Sequence, residues 1–358
     1  MAYQNVGTPK FYIDYLNYSR AIDVGGIVTG TGDFPDNLNS LIGLNPTQII
    51  RATTTGDTPG SIDFELYDGV ENVFDGEKVW CGIFGHNFGD SEDCWWAVGA
   101  GLEAGNWGWF HGLNPIVNTR TAFRTGTDYN GWSLFNCNAI LTGKVRLSFY
   151  NSFSVDWDVK LGGFAIGKEY TMPNAPNLSL TMSREYGGTK EFTTHNGSSM
   201  SNTMWSKPPK WGSLGAWELG DGNPKLSRSG RRSWDLKFSY MADSDVFGSN
   251  QSLSNLHPSA EDYRPIYNST GYEDSDIHFT ESGLSHLGFN YNILTDDSFF
   301  SQVWHKTLGG TLPFIFQPDS SNNNPDQFCI ARFKDNSLKA TQSAFNVYDI
   351  SLSIEEVW

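Results

Sequence analysis

The clearest signal in the chain is a two-residue alternation of apolar and polar side chains, the pattern of a strand that buries one face and wets the other. Ile62, Phe64 and Leu66 alternate with Asp63 and Glu65, and Val145, Leu147 and Phe149 with Arg146 and Ser148. Leu178, Leu180 and Met182 repeat the pattern, as do Trp234, Leu236, Phe238 and Tyr240 around Asp235, Lys237 and Ser239. The longest run sets Tyr348, Ile350, Leu352 and Ile354 on one face and Asp349, Ser351, Ser353 and Glu355 on the other, so the chain end is expected to be packed. One segment is helical in character: Asp296 and Asp297 as caps, Phe299, Phe300 and Val303 on one side and Gly309-Gly310 as a stop predict a helix over 298–308. A strand over 312–316 follows it.

Composition sharpens the fold class. The 38 Gly, 15 Pro, 13 Trp, 15 Tyr and 24 Phe suit short strands joined by many turns, because aromatic residues fit a pleated surface and Gly supplies positive-φ corners. The expectation is an all-β protein. Charge then suggests a boundary: residues 1–143 carry 6 Lys and Arg against 16 Asp and Glu, and residues 144–358 carry 18 against 24. We expect a jelly-roll-type β-sandwich over 1–143 and a second β domain over 144–358 with the helix packed on its sheet. Two stretches, 191–222 and 244–276, read as long irregular loops.

The net charge of −16 disfavours nucleic acid and anionic membrane surfaces as partners, since both repel an acidic chain at long range. No apolar run approaches the roughly 20 residues that span a bilayer, and the start of the chain shows no leader, so a soluble protein made in the cytoplasm is expected. Cys81, Cys94, Cys137 and Cys329 are too scattered for a disulfide framework or a metal knuckle, and buried free thiols are expected. The seven histidines contain no i, i+3 or i+4 pair on a plausible helix, which argues against a local metal site.

His86, in Gly85-His86-Asn87, reads as a turn residue at a strand end, and Gly99-Ala100-Gly101 lacks the strand–turn–helix setting of a dinucleotide loop. Glu355 and Glu356 are adjacent, so a strand would point them to opposite faces. The expectation is a non-enzymatic protein without a cofactor.

Two clusters are candidates for contact. Trp95, Trp96, Trp107 and Trp109 form an aromatic group that fits a core, a subunit interface or a platform for stacking sugar rings. Arg228, Arg231 and Arg232 form the one locally basic run in an acidic chain, which fits a solvated turn or a subunit contact with carboxylates of a neighbouring copy.

Several longer stretches carry a family resemblance. Residues 161–188 read LGGFAIGKEYTMPNAPNLSLTMSREYGG, residues 207–212 read KPPKWG, residues 227–241 read SRSGRRSWDLKFSYM, and residues 299–333 contain LPFIFQPDSSNNNPDQFCIARF. Together they resemble a family of virion or tail structural proteins of tailed bacteriophages, notably marine ones. Residues 78–90, an apolar run ending in Gly-His-Asn-Phe-Gly, look like the strand and turn of galactose-binding-like sandwiches. The resemblance implies a particle component, most of all a tail-tip or baseplate protein that contacts itself and other tail proteins. Host-glycan binding is the alternative role, and neck or capsid decoration a further one. It implies no catalytic residue.

Overall fold

The computed structural model describes residues 7–22, 28–31, 38–44, 49–54, 60–65, 79–87, 94–101, 107–109, 114–117, 131–137, 144–151, 157–185, 190–201, 230–247, 297–344 and 347–357. Within them the chain forms β1 (Lys10–Tyr12), β2 (Val28–Thr31), β3 (Ile50–Thr54), β4 (Gly60–Glu65), β5 (Val79–His86), β6 (Cys94–Gly101), β7 (Trp107–Trp109), β8 (Asn114–Val117), β9 (Gly131–Cys137) and β10 (Lys144–Asn151). It continues through β11 (Trp157–Leu161), β12 (Gly163–Thr171), β13 (Thr181–Glu185), β14 (Glu191–Thr193), β15 (Ser199–Ser201), β16 (Arg231–Ala242), β17 (Phe314–Gln317), β18 (Cys329–Phe333), β19 (Ala340–Ala344) and β20 (Val347–Glu356). The all-β class is as expected.

Eleven strands make one sheet, ordered β13-β16-β20-β18-β17-β1-β12-β5-β9-β8 with β19 also on β20, and five make a second, β2-β4-β10-β6-β7. The pairings are antiparallel. The small sheet covers the β12-β5-β9 part of the large one. Ile62 and Phe64 of β4 and Val145 and Leu147 of β10 join Val79, Cys81, Ile83, Phe135, Phe164 and Ile166 in one core. Phe64 stacks on Phe164 with centroids 4.9 Å apart. Trp80, Phe84, Leu134 and Ala165 point the other way and join Tyr12, Ile315 and Phe328 in a second core. Every residue of β5 is therefore buried, which explains its unbroken apolar run.

The charge change at residue 143 does not separate two sheets. β10 lies between β4 and β6, β12 lies beside β5, and β1 pairs with β17. Charge balance reports on the solvent face, whereas strand partners are chosen by the buried face, so a charge step carries no information about pairing.

Local departures from the expected elements have separate causes. Asp14 caps a helix that two-residue alternation does not mark, α1 (Tyr15–Ile22): its Oδ1 accepts the N–H groups of Leu16 at 3.0 Å and Asn17 at 3.3 Å. The expected helix over 298–308 is a short π-type turn, Phe300–His305. Ser298 Oγ accepts the Ser301 N–H at 3.3 Å, and Asp296, one of the two expected caps, lies outside the described residues. Phe299 and Val303 enter the core, and positive φ at Leu308, Gly309 and Gly310 stops the turn. Part of the 191–222 stretch, expected to be irregular, forms the β14–β15 hairpin. Leu178 lies in a turn before β13 and is 71% exposed, so the 178–182 alternation does not mark a half-buried strand.

β12 passes so close to the chain leaving β1 that a Cβ on Gly167 would fall on the Ile13 carbonyl, while the Ile13 N–H donates to Lys168 O at 3.1 Å. Only glycine fits. Gly167→Ala is expected to destabilise the fold by about 1–3 kcal/mol, the usual range for overpacking, read as a lower urea midpoint. An unchanged midpoint would contradict the close approach.

Candidate interaction surface at the sheet edge

The inward face of β20 and β16 is built in rows, because directly paired residues share a face. Ile354 pairs with Trp234, Leu352 with Leu236 and Ile350 with Phe238. The next inward position on each strand is charged: Glu356 on β20 and Arg232 on β16, both buried. Arg232 donates from its backbone N–H to Glu356 Oε2 at 2.9 Å, from Nε to the same oxygen at 3.2 Å and from Nη2 to Oε1 at 3.2 Å. Its remaining donors reach the carbonyls of Asp326 and Phe328, and the guanidinium lies 5.5 Å from the Trp234 ring centroid. Glu355, on the opposite face as expected, meets Arg332 Nε at 2.9 Å in a more exposed position.

Arg232, expected at a subunit contact, is buried in its own chain, because the strand phase points it inward and Glu356 supplies the countercharge. Arg231 falls on the outer face and is exposed, opposite Glu185 of β13. Arg228 lies outside the described residues.

β13 stands last in the sheet order among the described residues, and all five of its residues are exposed. Met182 pairs with Trp234 and Arg184 with Arg232, so the inward rows continue onto β13 and emerge there. Met182 is 57% exposed, although Leu180 before it still packs against the core. Close by, β16 is bulged between Phe238 and Met241. The extra residue, Tyr240, adopts φ 60° and is 82% exposed, while Met241 takes the inward place that alternation assigns to Tyr240. A left-handed backbone at a bulky residue is costly, and here the bulge turns the ring from core to surface.

Trp95 and Trp96 lie in β6, and Trp107 and Trp109 in β7, two paired strands of the five-stranded sheet. The side chains of these four tryptophans lie outside the described residues.

The buried titratable groups are held within the fold. His86 Nε2 is 3.0 Å from Ser133 Oγ, and burial pushes its pKa down to about 3. Asn87 beside it accepts the Lys160 N–H at 2.9 Å, so the histidine expected at a strand end is the last residue of β5, buried beside polar side chains. Burial raises the Asp14 carboxyl to about 7, against the backbone N–H groups that pull it down. His305, whose Nε2 is 2.9 Å from the Tyr18 hydroxyl, is lowered by burial and then by the Lys306 charge. Cys81 and Cys329 are buried free thiols. Among the described residues no group of three His, Cys, Asp or Glu side chains could hold a metal ion, and no helix is long and apolar enough to cross a membrane.

Two outcomes follow for stability. Arg232→Met leaves the Glu356 carboxylate buried without its countercharge and is expected to cost about 3–5 kcal/mol, most of it recovered when Glu356→Leu is added. Urea denaturation of both variants checks this, and equal stability of the single and double variants would contradict it. For pH, the folded chain protonates His86 only near 3 rather than 6.5, so its stabilising contribution is complete above about 6.5 and is lost as pH falls. Asp14 acts oppositely: its folded pKa of about 7 against an ordinary 3.8 means that the penalty is absent at low pH and grows between those values as pH rises. His86→Gln should therefore flatten the acid side of the stability profile, and Asp14→Asn the decline toward neutral pH, in denaturation midpoints measured across both windows. Compared with known proteins, the chain matches no family model, and no curated protein matches its sequence.

Proposed function

We infer that this chain is a structural component of a bacteriophage particle, sited at the tail tip or baseplate, whose work is to hold its place by repeated contact with copies of itself and with other tail proteins. The observation that carries the reading is where the phage-like stretches fall. Residues 161–188, 227–241 and 299–333 are distant in sequence, yet they supply β12, β13, β16, β17 and β18 of one sheet. The resemblance thus spans a connected structural unit. Among the described residues the same sheet ends in a strand whose five residues are all exposed, a geometry suited to contact between subunits. Occupying a fixed position in a symmetric assembly asks for complementary surfaces and no reaction.

Electron microscopy of particles labelled with an antibody to this chain tests the proposal. Label at the tail tip is the expected result. Label confined to head or neck would overturn the tail position, and particles without label would overturn the virion assignment.

A further inference from the structure

Resting on the reading of this chain as a self-assembling component, we propose that β13 is a self-docking edge, on which a second copy of the chain adds its own β13 antiparallel about a two-fold axis through Met182. Three observations identify the occupant as another copy. One inward row reaches β13, the last strand among the described residues, with its apolar character intact: Ile354, Trp234 and Met182 lie side by side across three strands, and the last is 57% exposed. A two-fold axis through Met182 sets it against the partner's Met182, and one apolar row then runs unbroken from core to core. In the same register Arg184 lies opposite the partner's Leu180 and Ser183 opposite the partner's Thr181, so no like charges face each other. Finally, residues 178–185 contain one arginine and one glutamate as their only charges, within a chain of net charge −16. Two such acidic chains repel over most of their surfaces and can approach closely at a locally neutral one. Antiparallel pairing of identical strands is the isologous contact that a two-fold axis requires, and strand addition supplies backbone hydrogen bonds to it.

The test uses the purified full-length chain. Sedimentation equilibrium is expected to show a dimer, and Met182→Glu is expected to weaken its association at least tenfold, with an unchanged circular dichroism spectrum because Met182 is exposed. Met182→Cys is expected to give a disulfide-linked dimer under mild oxidation, since the two side chains face each other across the axis. Glu185→Cys, three residues from the axis, is expected to stay uncrosslinked. A wild-type monomer, a dimer indifferent to Met182→Glu, or crosslinking equal at positions 182 and 185 would each overturn the docking edge. None of these results bears on the tail location, which the labelling experiment decides, so the two failures are distinguishable.

Discussion

The large sheet depends on three residues. β1 contributes only Lys10, Phe11 and Tyr12, yet it pairs on one side with β12 and on the other with β17, and no other described strand joins those two halves. Its side chains explain how so short a strand can serve. Phe11 enters one core among Phe299, Phe314, Phe316 and Phe333, with ring centroids 5.2–6.0 Å away. Tyr12 enters the other core against Trp80 and donates its hydroxyl to Gln317 Oε1 at 2.8 Å. Large side chains buried on both faces contribute about 1.5–3 kcal/mol each. That is enough for a three-residue strand to fasten the N-terminal strands to the C-terminal ones.

From that junction the sheet runs outward in two directions under different constraints. Toward β5 and β9 it is covered on both faces, by the five-stranded sheet and by the second core, and tolerates little besides apolar side chains and glycine. Toward β16 and β20 one face stays wet, with Asp235, Lys237 and Ser351 exposed, while the other is covered by the π turn and the short helix Asp243–Val246. The cover thins at the end of the rows. There the fold places a buried ion pair, Arg232 with Glu356, and beyond it an uncovered strand. The ion pair satisfies both charges with several hydrogen bonds, so it holds the register of β16 on β20 next to an edge that is open to contact. An exposed edge of this kind can stay folded by itself, since its register is held from within.

The strands whose apolar faces alternate cleanly, β4, β10, β16 and β20, were legible from sequence because the period of two is imposed by the pleat itself. The opposite orientation of Glu355 and Glu356 followed from the same rule. The candidate contact residues were less legible. Arg231 and Arg232 look alike in a basic run, but strand phase sends one to solvent and the other into the core. Nothing local reveals that phase until the position of Trp234 in the inward row is known, and its alternation was the signal that could have found it. Tyr240 shows the reverse problem: alternation assigned it inward, and one inserted residue moved it outward. A bulge depends on the partner strand and leaves no mark in the spacing of the strand that carries it.

By itself the amino-acid sequence determined the all-β class, most of the buried faces, the burial of Cys81 and Cys329 and the glycine stop after His305, since each follows from local period, turn chemistry or side-chain polarity. Tertiary structure alone decided that strands from both sides of residue 143 share one sheet, that β1 joins its halves, that Glu356 is the partner of Arg232 and that β13 stands last among the described strands. These are matters of which strand lies beside which. Pairing partners far apart in the chain are selected by the complementarity of whole faces, and a one-dimensional pattern of polar and apolar residues specifies a face without naming its neighbour.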